Sequence, residues 1–437
     1  MSMLFPKHAF QSQTADPDAN QCNAILEAAN ADTIVLDVDF LASTYAANPK
    51  TSIASAIRKI NPKAAIFGYF SPADYQPYDS EIMLRFRAGF DPDWLMRSVN
   101  GAKEIVLYTN PANGQKTKLM NLTKPGLRRH IVNTLTSSDG LSPGAGVDGI
   151  YFDWACPVAW LTNDAVAVPG GIDLYGNHTA TPQAVIDAEW RDAWNALAVE
   201  MKSRMGCRVF GNGGYQATRG YQVDGLMIEG FMTNSPAPGQ WSSWSQIMRS
   251  YVAYTGSDFP HSFIMHTSNA PAGTPSFFAA QRFAVASACL FDGGVVLNSG
   301  SQYVDRFWTD ELGVDCYGQA SKAFKDRRWM GRALNDAYDS VAGLSVRLAD
   351  VLMGCTETTN LEQAEAKLYR RDFENAVALV NPSATLKTVN FPAQATGLGT
   401  GLRFIKGITD PAVNTGAAVP VGVLSIPAKS GLILFRQ

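Results

Sequence analysis

Two acidic side chains stand at the ends of short apolar runs. Asp153 closes Gly149-Ile150-Tyr151-Phe152, and Glu229 closes Gly225-Leu226-Met227-Ile228. A carboxylate in such a place is partly desolvated, which is costly unless a partner or a reaction compensates. The bland reading of either is a buried acid that caps a loop or pairs with an arginine. The chemical reading needs both. Glycoside hydrolysis uses two carboxyl groups across one cavity: one attacks the anomeric carbon or activates water, and the other protonates the leaving oxygen. Their contexts echo each other, because Asp148-Gly149 opens the first run and Asp224-Gly225 opens the second.

Further polar residues fall at the ends of other apolar runs. Asp37 and Asp39 sit in Thr33–Phe40 (TIVLDVDF), where alternation puts both on one face of a strand. Tyr69, Asn121, Asn212, His266 and Asn298 end further runs, and Trp154 follows Asp153 directly. All eight are candidate substrate-binding residues, since their donors and acceptors suit sugar hydroxyls and the indole suits a sugar face. Structural hydrogen bonds explain each polar one equally well when taken singly. Two long segments, 155–181 and 232–245, follow the two acids and carry Trp160, Tyr175, His178, Trp241 and Trp244. Long loops beside a site commonly build its cleft.

The elements that must position these groups are read from periodicity. Apolar runs at 33–40, 63–70, 104–108 with 118–122, 147–154, 208–212, 225–231, 262–267 and 293–298 are candidate strands, with helical patterns between several of them. Eight strands alternating with helices predict an α/β fold, a (β/α)8 TIM barrel with its chemistry at the C-terminal strand ends. The first strand ends in Asp-Val-Asp-Phe with no phosphate-binding glycine loop, against a doubly wound nucleotide fold. From about residue 335 short runs alternate with turn signals, which predicts a C-terminal antiparallel β-sandwich. The expected domains are therefore 1–334 and 335–437. Gly397, Gly399 and Gly401 fall inside the second and read as turns.

Composition narrows the function classes. Of 437 residues 46% are hydrophobic and 17% charged, enough for a large core and unlike a disordered chain. A net charge of −3 gives no electrostatic attraction to nucleic acid or an anionic membrane. No apolar run approaches the roughly 20 residues a spanning helix needs. The N-terminal residues lack an apolar signal-peptide core, so the expectation is a cytoplasmic product as synthesised. Six scattered cysteines without C-x-x-C read as reduced thiols, and five histidines without H-E-x-x-H leave no zinc-hydrolase motif. No cofactor and no metal are expected.

The run WLMRSVNGAKEIVLYTNPANGQKTKLMNLTKPGLRRHIVNTL leading into GVDGIYFDWA, and later FWTDELGVDCYGQASKAF and LYRRDFENAVALVNPS, resemble a known group. They are similar to glycoside hydrolases of the α-galactosidase-like (β/α)8 barrel superfamily, including the polygalactosaminidase-type hydrolases. The resemblance covers roughly residues 30 to 437. It implies an α-glycoside-cleaving enzyme, with the fourth-strand Asp153 as nucleophile and the sixth-strand Glu229 as acid/base. Many relatives carry Asp at the sixth strand and a second acid after the fourth-strand Asp, where this chain has Glu229 and Trp154. The expected partner is a carbohydrate substrate. The alternative expectation is a barrel that binds glycan without cleaving it, as a recognition module of a larger assembly such as a phage virion.

Overall fold

Apolar runs bounded by turn residues become strands, and the stretches between several of them become helices, in a computed structural model. The structure describes residues 4–5, 9–12, 25, 28–29, 31–45, 48–75, 81–99, 105–109, 114, 116–137, 141, 143–153, 170–212, 222–231, 243–255, 262–267, 270–271, 273–298, 309–321, 328–355, 358–391 and 401–436. The chain divides into two compact units, Phe10–Met227 with Ala237–Gly239, and Met1–Ala9 with Ile228–Pro236 and Gln240–Gln437.

The first unit is built on parallel strands β1 (Thr33–Asp37), β2 (Ala65–Phe70), β3 (Gly149–Phe152), β4 (Arg208–Asn212) and β5 (Gly225–Ile228). Each pairs with the next, and the register sets Asp37, Tyr69, Tyr151, Phe210 and Gly225 in one row. Helices α1 (Val38–Ala42), α2 (Ile53–Ile60), α3 (Glu81–Ala88), α4 (Pro125–Thr136) and α5 (Gln183–Met205) complete it. Local sequence explains their ends. Ser52 caps α2 by accepting the Ser55 N–H, and Gly206 ends α5 in the left-handed conformation at φ 62°. One sheet face packs on helices: Phe70 lies edge-on to Phe86 of α3, and Phe152 to Trp194 of α5. On the opposite face Tyr69 stacks on Tyr151 at 5.7 Å and Tyr151 on Phe210 at 6.0 Å.

The Asp-Gly echo has a structural meaning. At the N-terminal end of β3, Asp148 accepts the Ile66 N–H of the neighbouring strand and pairs with Arg58 of α2. At the N-terminal end of β5, Asp224 accepts the Val209 N–H of its neighbour and pairs with Lys202 of α5. The glycines that follow allow close packing. A Cβ on Gly149 would collide with the Arg208 carbonyl, and one on Gly225 with the Phe210 ring.

The expected third strand is corrected. Val106–Thr109 and Lys116–Leu119 pair with each other antiparallel, and Asp74–Tyr75 pairs with the second of them, in a separate three-stranded sheet. β2 therefore pairs directly with β3. The link from 109 to 116 is hairpin-sized, whereas a parallel neighbour needs a crossover of about a dozen residues or more. Among the described residues the strands expected of the barrel are seven, five here and two in the other unit.

The second unit contains the parallel pair β6 (Phe263–Thr267) and β7 (Gly294–Asn298), with helices α6 (Trp244–Ala253) and α7 (Pro275–Cys289). Beyond them lies an antiparallel sheet of Tyr338–Asp339, Tyr369–Asp372, Ala376–Asn381, Ser430–Arg436 and Leu402–Phe404, in that order. A second antiparallel pair joins Lys387–Phe391 to Gly422–Ile426. Val377, Leu379, Leu432 and Leu434 of the larger sheet share a core with Val389 and Ile426 of the pair. The larger sheet's other face, through Ala378, Val380 and Ile433, joins a core with Phe283 and Ala286 of α7. Gly431 makes this approach possible, since a Cβ there would press on Ala286 and the Arg282 carbonyl. No helix among the described residues is long and apolar enough to cross a membrane.

Candidate active site

Alternation along β3 puts Asp153, just past the strand's end, on the same face as Tyr151. There its carboxylate is held from both sides. The Tyr69 hydroxyl of β2 donates to Oδ2 at 2.6 Å, and the Asn212 amide of β4 donates to Oδ1 at 2.8 Å. Its own N–H donates to the Phe70 carbonyl at 3.0 Å, which ties the turn to the neighbouring strand. Tyr69 is buried, and burial together with the charges of Asp153 and Asp74 pushes its phenol well above the ordinary tyrosine range. It therefore stays a donor at any physiological pH. Tyr69, Asp153 and Asn212, chosen from the sequence as separate strand ends, form one hydrogen-bonded group.

Asp37 ends β1 in the same row as Tyr69. Its carboxylate caps α1 by accepting the Asp39 N–H at 2.8 Å. Burial, with the Asp39 charge adding to it, raises the Asp37 carboxyl to about 7, and the backbone hydrogen bonds from Asp39 and Phe40 only partly oppose this. Asp39 itself is a correction. The chain turns helical at Val38, so strand alternation no longer applies and the two acids do not share a strand face. Asp39 instead accepts the Ile82 N–H at the first turn of α3.

Asn121 is not in the parallel sheet. Its amide donates to the Leu174 carbonyl, its oxygen accepts from Thr123, and it is buried, so it ties loops together. Trp154, Trp160 and Trp241 lie outside the described residues. Tyr175 is exposed, in a loop where the Asp173 carboxylate accepts the N–H groups of Gly176, Asn177 and His178. Trp244 is a core residue: it is fully buried, stacks on Tyr369 and donates to Ser287.

In the second unit Glu229 follows β5 as an exposed side chain, with Gly230 next at φ 80°. His266 of β6 lies two residues past Ile264 and so on the same strand face, and the Ile264 side chain belongs to the core that Phe283 and Val285 of α7 also join. The His266 ring sits edge-on to Phe231, its Nδ1 lies 2.9 Å from the Phe231 carbonyl, and burial lowers its pKa, leaving it neutral. Asn298 ends β7 opposite Thr267. Among the described residues no group of three or more His, Cys, Asp or Glu could hold a metal ion.

Three residues of the site region escaped the sequence reading. Tyr151, two before Asp153, was findable from alternation. Asp74, in the short strand opposite Leu119, acts electrostatically on Tyr69, and Ser71 follows β2 as a buried hydroxyl. Neither lies in a periodic run.

No family model matches the chain, and no curated protein matches it. Among solved structures it is similar to a xylosidase from Aspergillus niger, at 11% identity and TM-score 0.49, covering 100% of this chain and 65% of that one. It is also similar to a GH36 α-galactosidase from Geobacillus stearothermophilus, at 10% identity and TM-score 0.45, covering 99% of this chain and 56% of that one. A third is the trehalose-6-phosphate hydrolase of Bacillus licheniformis, at 10% identity and TM-score 0.46, covering 99% and 98%. The chain thus spans less than two thirds of the first two. At such identities no residue's role transfers, and the case for chemistry rests on the residues themselves.

Proposed function

We propose that this chain is a glycoside hydrolase that cleaves α-linked oligo- or polysaccharides with retention, through Asp153 as nucleophile and Glu229 as acid/base. The proposal takes 1–334 as a (β/α)8-type catalytic body and 335–437 as an appended β-sandwich. The observation that carries it is the grip on Asp153, whose two oxygens accept from Tyr69 and Asn212 at the C-terminal end of a parallel sheet. Two neutral donors orient a carboxylate without cancelling its charge, which suits a group that must attack a carbon. Glu229 is supported by its place in the repeated Asp-Gly-strand pattern, the same distance past Asp224 as Asp153 is past Asp148.

In the first step an Asp153 oxygen bonds to the anomeric carbon while the glycosidic C–O bond breaks and Glu229 gives its proton to the departing oxygen. In the second, Glu229 takes a proton from water, the water oxygen bonds to the same carbon, and the Asp153 ester bond breaks. Retention requires the two carboxyls about 5–5.5 Å apart, and inversion about 6.5–9.5 Å. Asp153→Asn and Glu229→Gln, assayed on an α-glycan library, should each lose turnover. Full activity in both variants would end the assignment.

A further inference from the structure

Tyr175 is 52% exposed, and its side chain has no ring or polar partner among the described residues. An exposed aromatic on a loose loop would have to be ordered before it could hold a ligand. This loop is already ordered. The buried Asp173 carboxylate accepts the N–H groups of Gly176, Asn177 and His178 at 2.7, 3.0 and 2.8 Å. The Asn121 amide holds the Leu174 carbonyl at 3.0 Å, and the Thr181 hydroxyl accepts the Leu174 N–H at 3.2 Å. His178 is kept at φ 62°, a backbone state that costs a residue with a Cβ. The chain is thus fixed on both sides of Tyr175 while the ring stays in water. The loop also lies at the end of the sheet that carries Asp153. Ile172–Asp173 pairs with Arg97–Ser98, the Asn121 N–H donates to the Trp94 carbonyl, and the Met120 N–H donates to the Ala73 carbonyl. Ala73 stands three residues past Phe70, the end of β2, whose carbonyl accepts the Asp153 N–H.

We propose that Tyr175 is a stacking platform for a sugar ring of a neutral glycan, a binding subsite carried by this loop rather than by the strand ends. The inference rests on reading the Asp153 end of the sheet as a glycan site. The surface chemistry favours an uncharged, hydroxyl-rich occupant. Residues 174–184 include no Lys, Arg, Asp or Glu, although 17% of the chain is charged, and residues 175–180 are all exposed. The one acid beneath them, Asp173, is buried and spent on backbone N–H groups. An aromatic face offers apolar area to the C–H face of a pyranose, as it does to other flat apolar surfaces. Beside the ring, Asn177 Oδ1 accepts the Thr179 N–H, which leaves the Asn177 amide hydrogens to donate to hydroxyls at the rim of the sugar. A platform ordered before binding adds little entropic cost when the ligand arrives.

The test is binding, measured by calorimetry on the full chain carrying Asp153→Asn so that the ligand is not consumed. The probes are maltoheptaose, isomaltoheptaose and an α-1,4-linked galactose heptamer. Tyr175→Ala in that background should weaken Kd for the best of them about tenfold, the effect of returning about 55 Å² of apolar ring contact to water. Tyr175→Phe keeps the face and should stay within about threefold of the parent, and Tyr175→Trp should bind at least as well as the phenylalanine variant. Urea unfolding of all three should match the parent, because the ring packs on nothing among the described residues. Equal Kd for Tyr175→Ala and the parent, a Tyr175→Phe variant as weak as Tyr175→Ala, or no binding of any heptamer overturns the inference. Turnover by the wild-type chain is read separately. Hydrolysis with binding indifferent to Tyr175 sinks the platform and leaves the hydrolase reading standing. Binding that depends on the ring without turnover supports the platform and sinks the hydrolase reading alone.

Discussion

Removing one hydroxyl tests the grip on Asp153. Tyr69→Phe deletes the 2.6 Å donor to Oδ2 while leaving the ring that stacks on Tyr151. A hydrogen bond to a charged group contributes about 1.5–3 kcal/mol, so if the nucleophile's orientation depends on it, kcat/KM should fall about 10- to 150-fold. Stability should change little, because Asp153 is only half-buried and water can take the vacated place. The expected loss on urea unfolding is below about 1.5 kcal/mol. Asn212→Ala removes the other donor, and a double-mutant cycle measures whether the two act through the same carboxylate. The assay is kcat/KM for the best α-glycoside of the library, beside urea unfolding of each variant. The reasoning fails if Tyr69→Phe keeps wild-type kcat/KM, or if its loss of activity merely follows a loss of folded protein.

Two further outcomes concern the framework. The Asp310 carboxylate accepts the N–H groups of Ile408, Thr409 and Asp410 and the Asn414 amide, and these bonds outweigh burial to hold its pKa below the usual carboxylate range. A depressed folded pKa stabilises above the unfolded value and is lost as pH falls through the folded one, so Asp310→Asn should lower Tm at pH 7, and the gap to wild type should close below about pH 4. Gly149→Ala, whose Cβ would meet the Arg208 carbonyl, should cost about 1–3 kcal/mol on urea unfolding, and a variant as stable as wild type would contradict the tight strand contact.

Much of the candidate site was legible in one dimension because a strand alternates faces. Asp153 after an apolar run, and Tyr69 and Asn212 ending neighbouring runs, follow from a period of two. Where the backbone changed state the reading failed: Asp39 entered a helix, and alternation lost its meaning there. Asn121 and Trp244 failed for another reason. A polar tip or a flat ring reads the same in a sequence whether it meets a sugar or a neighbour, and here the neighbours are the Leu174 carbonyl and Tyr369. The Asp-Gly echo was visible, but its purpose, a carboxylate on the next strand's N–H and a cation from a helix, required the pairing.

The residues alone located the strand-forming runs and the acids Asp37, Asp153 and Glu229 at or just past the ends of three of them, because burial pattern and turn chemistry are local properties. The tertiary structure decided which strands are neighbours. It moved the third run into an antiparallel sheet and so brought β2 beside β3. Strand order depends on how crossovers close over the sheet, which no short window of sequence records. That order is what places a tyrosine hydroxyl and an asparagine amide on the two oxygens of one aspartate.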